Sequence, residues 1–220
     1  MSRATIHMLR HGEVHNPDRL LYGRLPEFHL SGLGEQMAER AAKEFKKRTE
    51  AGAVISYLVS SPLTRAQETA VPTARALGLD VVTDERIIEA TNRFEGLAVT
   101  GAELCHAKHW KHLVNPVKPS WGEPYTEQVD RVMQAVAEAR DKAVAAGGAG
   151  AEAVMVSHQL PIWVTRRAAE KRRLWHDPRR RKCSLASITS LTFEGDEIVD
   201  VQYSEPAADL LSGAANVPGA

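Results

Sequence analysis

The chain has 220 residues, enough for one sizeable α/β core, and its 43% apolar and 25% charged content is that of a globular protein. Lys plus Arg (28) equals Asp plus Glu (28), so no overall field draws the molecule to nucleic acid or an anionic membrane, and any anion binding must come from local clusters. Cys105 and Cys183 show neither CxxC spacing nor a His partner at zinc-finger distance, which argues against metal and redox motifs and fits a reducing compartment.

Residues 4–9 form a short apolar run that predicts a buried strand, broken by Arg10-His11-Gly12. Residues 12–30 read as a long loop with Pro17, Gly23 and Pro26, and loops of that length inside a compact domain usually carry function. Ser31 is positioned to cap a helix over 32–49, with apolar spacing at Leu33, Met37, Ala41 and Phe45. A second strand is expected at 53–59. After it, Ser61 would cap a helix with Pro62 in its first position, running through Pro72 to Gly78. Residues 80–83 read as a short strand. Residues 84–124 read as an irregular insertion over the sheet edge, with helical fragments near 101–113. A helix over 125–146, a strand over 152–157, a helix from His158 to about Ala169 and a hairpin of strands (184–193 and 197–203) complete the order.

That order predicts a single α/β domain over 1–205, a three-layer sandwich whose mostly parallel central sheet is flanked by helices on both faces. The Ala/Gly/Pro-rich stretch 206–220 is expected to be a disordered tail. The N-terminal apolar stretch is too short for a signal-peptide core, and no run approaches the ~20 apolar residues of a membrane span, so a cytoplasmic protein is expected.

Three segments share one layout, a strand followed by polar residues and a turn or helix. They end in Arg10-His11-Gly12-Glu13, Ser60-Ser61-Pro62-Leu63-Thr64-Arg65 and Ser157-His158. In open α/β sheets, ligands bind beyond the carboxyl ends of the strands. Parallel neighbours would therefore bring Arg10, Arg65, His11 and His158 into one crevice. Guanidinium forks match phosphate oxygens, and helix N-termini add N–H groups that favour an anion. A neutral imidazole can attack phosphorus, and nearby guanidinium charge would keep His11 neutral. His158, if protonated, would stabilise charge on the equatorial oxygens. Glu89, after the apolar pair Ile87-Ile88, is the candidate proton donor to the leaving oxygen. With the cations built in, neither metal nor cofactor is required.

Four segments, in order, resemble the histidine phosphatase superfamily, in its phosphoglycerate-mutase-like branch. Arg10-His11-Gly12-Glu13 resembles its RHGE motif, and residues 60–69 resemble its SSPLxRAxET segment almost throughout. Glu89 with Phe94-Glu95-Gly96 resembles its acid-then-(F/W)EG segment, and Val156-Ser157-His158 its VSH segment. The resemblance implies that His11 takes the phosphoryl group, that Arg10, Arg65 and His158 form the phosphate pocket, and that Glu89 is general acid and later base. Asn16, Gly23 and Gln159 are added as phosphate-binding candidates. The chain departs from the family pattern in places. Val14 replaces Thr, Asn16 comes one position early, residues 23–30 are one longer with Pro26 or Glu27 near the usual Asp, and Pro124 sits in a Gly-Glu-Ser-like segment.

The leading reading is a phosphomonoester phosphatase working through phosphohistidine on a small phosphorylated metabolite. The alternatives are a phosphoglycerate-type mutase and a non-catalytic binding module on the same fold. The expected partner is the small substrate, with no nucleic acid and no membrane, and a homodimer is left open. His106, His109 and His112 recur at spacing three but lack a carboxylate to complete a ligand set, so they read as a solvated face. The basic run Arg179-Arg180-Arg181-Lys182 lacks interleaved aromatics and reads as a solvated loop or a rim for an acidic substrate.

Overall fold

A computed structural model describes residues 3–98 and 121–214. Its six strands are β1 (Arg3–Arg10), β2 (Ile55–Ser60), β3 (Val82–Thr83), β4 (Glu152–Ser157), β5 (Ile188–Glu194) and β6 (Glu197–Ser204), in the sheet order β3-β2-β4-β1-β5-β6. The first four positions in that order are parallel, and β5 and β6 close one edge as an antiparallel hairpin. This is the mostly parallel α/β sheet expected from the element order. β4 is buried along its whole length, which its near-continuous apolar sequence allows only in a strand covered on both faces.

The helices are α1 (Gly32–Glu50), α2 (Thr64–Leu77), α3 (Tyr125–Gly147) and α4 (Gln159–Ala169). Side chains alternate across the strands and split the core in two. Ile6, Met8, Ala153 and Met155 pack with α3 and α4, including Val132, Val136 and Ile162. Leu9, Leu58, Val154 and Val156 pack with α1 and α2, including Met37, Phe45 and Ala66. Ser31 caps α1 by accepting from the Gly34 N–H at 3.0 Å, an interaction worth about 1 kcal/mol. Gly78 ends α2 in the left-handed region at φ +67°.

Several boundaries fall elsewhere than the sequence reading puts them. The helix after β2 begins at Thr64, with Leu63 rather than Ser61 in the capping position and no side-chain cap. β3 has only two residues, and β5 starts at Ile188 rather than 184. The chain first bends at residues 184–187 against the end of β1, where Arg10 N–H donates to Ser187 O and Ala186 N–H to His11 O. The disordered tail expected over 206–220 is corrected as far as residue 214, and 215–220 lie outside the described residues. A 3-10 helix covers Ala208–Gly213, and Ala207, Leu210 and Leu211 pack against the α1–α2 half of the core. Apolar burial orders a stretch whose small residues suggested disorder. Of the insertion expected at 84–124, a 3-10 turn at Glu85–Ile87 places Ile87 in the core, and the helical fragments near 101–113 lie outside the described residues. Among the described residues, no helix is long and apolar enough to cross a membrane.

The strand ends are level. Arg10 pairs with Ser157, and Ser60 with Val156, so β1, β4 and β2 stop on one line. The exit of β1 passes so close to the start of α1 that side chains are excluded. A Cβ on Gly12 would lie 2.4 Å from the Gly34 carbonyl oxygen, and one on Gly34 would lie 2.0 Å from the Glu13 carbonyl oxygen. Gly34→Ala is therefore expected to lower unfolding free energy by about 2–4 kcal/mol. Gly32→Ala, where an added methyl meets nothing within 4 Å, should be neutral or stabilising by up to about 1 kcal/mol. Urea unfolding of the two variants checks the contrast, and equal effects would refute it.

Candidate active site

His11 stands at the first step beyond β1 and is completely buried. Its backbone N–H donates to Ser157 O at 3.1 Å, which continues the ladder to β4. Its ring Nδ1 lies 2.8 Å from the Gly12 carbonyl oxygen. A carbonyl can only accept, so Nδ1 carries the proton and Nε2 holds the lone pair. Nε2 is buried and has no hydrogen-bond partner. Burial, then the charges of Arg65 and Arg10, hold the ring pKa well below the ordinary histidine value. A neutral imidazole of fixed tautomer, with its second nitrogen uncommitted, is competent to attack an electrophile.

Two guanidinium groups flank it. Arg10 is buried and its Nη1 donates to the Cys183 carbonyl at 2.7 Å. Arg65, in the first turn of α2, is 1% exposed and donates from Nη2 to the Gly23 carbonyl at 2.6 Å. Its Cζ lies 4.6 Å from the centre of the Tyr22 ring, a cation–π stack. Thr69, one turn along α2, accepts from the Gly12 N–H at 3.1 Å and donates to the Arg65 carbonyl at 2.7 Å. One hydroxyl thus ties the loop carrying His11 to the helix carrying Arg65.

His158 precedes α4 at the end of β4, its ring centre 5.2 Å from that of His11. Its Nε2 lies 2.7 Å from Ser61 Oγ. Ser61 Oγ also accepts from the Leu63 N–H at 3.4 Å, one residue short of α2. Burial, Arg65, His11 and Arg10 hold the His158 pKa well below its ordinary value. The carboxyl group of Glu89 is mostly buried and accepts from the Ala90 N–H at 2.8 Å, and its charge acts on Tyr22, Arg65 and Arg181. Its main chain is held by Arg24, whose Nε donates to Glu89 O at 2.6 Å while its Nη2 reaches Glu123 at 3.2 Å.

The fold that gathers these groups, and the motifs that carry them, match known proteins. The family described as the histidine phosphatase superfamily (branch 1) matches residues 6–205. The chain belongs to the histidine phosphatase superfamily. It is 49% identical over 205 residues to the uncharacterized protein Rv0525 of Mycobacterium tuberculosis, covering 92% of this chain and 96% of that protein. It is 28% identical over 200 residues to the probable phosphoglycerate mutase GpmB of Escherichia coli, at 83% of each chain. Among solved structures, a complex of mycobacterial glucosyl-3-phosphoglycerate phosphatase Rv2419c with VO3 superposes with a TM-score of 0.71 at 28% identity, covering 93% of this chain and 98% of that one.

In this member of the histidine phosphatase superfamily, the peripheral candidates hold the segments around the site. Asn16, expected among phosphate ligands, spends both ends of its amide on its own loop, donating to Leu20 O at 2.8 Å and accepting from Leu20 N–H at 3.0 Å. Gly23 contributes the carbonyl that holds Arg65. It sits at φ +40°, where a Cβ would meet the Glu95 carboxylate at 2.2 Å. Gln159 accepts from Arg181 Nη1 at 3.3 Å. Sequence reasoning missed Tyr22 and Thr69. Thr69 lies four residues after Arg65 on one helix face, a readable signal. Tyr22 sits in an irregular loop with no periodicity to point to it. His106, His109 and His112 lie outside the described residues.

The buried histidines set a pH dependence. His7, His11 and His158 are lowered chiefly by burial, and His176 is brought down to about 4. Each binds fewer protons folded than unfolded, so the unfolded state is favoured as pH falls below the unfolded value of about 6.5. His29, raised by Glu68, has the opposite sign, but it lies in solvent and contributes little. Stability should therefore be flat above about pH 7 and decline progressively from about 6.5 toward 4. Denaturant unfolding at pH 7.5, 6, 5 and 4 measures this. A rise in stability on acidification would contradict the buried neutral imidazoles.

Proposed function

We propose that the chain is a phosphomonoester phosphatase that forms a phosphohistidine on His11 Nε2, acting on a small phosphorylated metabolite in the cytoplasm. The observation that carries the reading is the fixed tautomer of His11, whose Nε2 lone pair is uncommitted between two guanidinium groups. In the first step Nε2 attacks phosphorus while the bond from phosphorus to the ester oxygen breaks. Arg10, Arg65 and His158 bind the equatorial oxygens, where charge is greatest in the transition state. Glu89 gives its proton to the departing oxygen. In the second step Glu89 takes a proton from water, water attacks the phosphohistidine, and inorganic phosphate leaves with His11 again neutral. An arriving phosphate dianion would raise the His158 pKa, so His158 would take up a proton from solvent as the substrate binds. The arginines supply the charge neutralisation, so the proposal needs no metal ion.

Superfamily members are phosphatases or mutases. The likeness to a phosphatase crystallised with inorganic phosphate and with VO3 supports the hydrolase. The likeness to GpmB keeps a mutase as the second reading. Phosphate release from a phosphomonoester panel, run beside a mutase assay primed with a bisphosphate, separates them.

His11→Ala is expected to lower turnover by roughly a thousandfold or more and to abolish an acid-labile, base-stable phosphoryl label. Full turnover in that variant would end the proposal. Glu89→Gln should slow the burst from an alkyl phosphate by roughly a hundredfold or more, yet slow that from a nitrophenyl phosphate less than about tenfold, because an acidic leaving group needs no proton. Equal slowing for both esters would show that Glu89 is not the acid.

A further inference from the structure

Arg181 is a cation beside this site that the mechanism does not use. It follows a 3-10 turn at Pro178–Arg180, and three neutral groups hold it. Its Nε donates to His176 Nε2 at 2.9 Å, its Nη1 donates to Gln159 Oε1 at 3.3 Å, and the Tyr125 hydroxyl is also within hydrogen-bond reach. His176 Nδ1 in turn donates to the Leu174 carbonyl at 2.7 Å, so Nε2 is the accepting nitrogen and the imidazole is neutral. Among the described residues, no carboxylate forms an ion pair with Arg181. Its neighbours in the fold differ. Arg179 pairs with Asp177 at 2.9 Å, and Arg131 pairs with Glu123 at 2.7 Å.

Its position is set by the same segments that build the phosphate cradle. Gln159 adjoins His158. Cys183, two residues after Arg181, holds Arg10 through its carbonyl oxygen at 2.7 Å. The charges of Arg10 and Glu89 both act on Arg181. A guanidinium carries five N–H donors, and the three contacts leave some of them over. None of the Arg181 nitrogens is both buried and unpartnered, and the side chain is only part-buried. A cation withdrawn from bulk water and fixed by neutral groups is costly to keep without a counter-anion, and its fork is already oriented for one.

We propose that Arg181 receives a second oxyanion of the substrate, a carboxylate or a phosphate. The subsite would select doubly anionic phosphomonoesters over those whose remainder is neutral. The placement rests on the phosphatase reading, which puts the first phosphate between Arg10, Arg65 and His158. His176 and Gln159 are positioning residues that fix the fork.

Titration calorimetry on the full chain carrying His11→Ala, which removes the nucleophile, tests the subsite with three two-carbon probes. These are 2-hydroxyethyl phosphate, phosphoglycolate and ethane-1,2-diol bisphosphate. At least one doubly anionic probe should bind roughly 10- to 100-fold more tightly than the hydroxyethyl ester. Which of the two does so tells whether the second group is carboxylate or phosphate. The advantage should collapse to within about threefold when Arg181→Met is added, and return in part with Arg181→Lys, which keeps the charge but loses the fork. Arg181→Gln, neutral but still able to donate to His176, makes the same comparison if the Met variant does not fold. Equal binding of all three probes, no binding of any, or an advantage that survives loss of the Arg181 charge overturns the subsite. Turnover of p-nitrophenyl phosphate by the chain with His11 intact is read separately. Its absence would overturn the phosphatase reading, and the binding ratio would still decide the subsite.

Discussion

Everything at the carboxyl ends of the strands depends on keeping positive charge buried beside neutral imidazoles. Arg65 is almost fully enclosed, yet among the described residues its partners are the Gly23 carbonyl and the face of the Tyr22 ring, not a carboxylate. A carboxylate there would neutralise the guanidinium and compete with any incoming anion. A carbonyl dipole and an aromatic quadrupole hold the group in place without cancelling its charge. The same charge, added to burial, keeps His11 and His158 unprotonated. The uncommitted nitrogen of His11 and the guanidinium groups around it are therefore one electrostatic arrangement, because removing the arginines would also let the histidine pKa values rise.

Such an arrangement is costly, since desolvated charge opposes folding. The two halves of the core on either side of the sheet offset that cost and hold the strand ends level. Close backbone contacts do the finer positioning. Gly12 and Gly34 let the exit of β1 lie against the start of α1, and Thr69 ties that exit to the helix bearing Arg65. The loop carrying Tyr22 and Gly23 is closed on itself by Asn16 and pinned by Glu95, which accepts from Arg24 N–H at 3.0 Å. Loop residues can thus govern the site by fixing the carbonyl that holds Arg65.

The parts of the fold that could be read in advance are those decided by local chemistry. The Ser31 cap, the apolar face of α1, the left-handed Gly78 stop and the buried run of β4 all follow from spacing and residue type. The departures arise where a distant partner competes for the same group. Ser61 has the chemistry of a helix cap, but its hydroxyl is shared between His158 and the Leu63 N–H, and α2 begins at Thr64. The stretch after Glu205 looks unstructured by composition, yet Leu210 and Leu211 find an apolar surface between elements far away in sequence.

By itself, the sequence determined the residue types at each strand end, the alternation that forms a mostly parallel sheet, and the motifs that carry Arg10, His11, Arg65, Glu89 and His158, because these are properties of neighbours along the chain. Only the tertiary structure decided that the β1, β4 and β2 ends stop in register, that Nδ1 of His11 is the protonated nitrogen, and that His158 is neutral beside Ser61. It also drew Tyr22 under Arg65 and lifted Arg181 out of a basic run to stand beside the cradle. The His11 tautomer turns on the backbone conformation at Gly12, whereas charge state and hydrogen-bond partners depend on atoms brought together across tens to more than a hundred residues, and in a buried site those contacts, rather than residue identity, set the free energy of each protonation state.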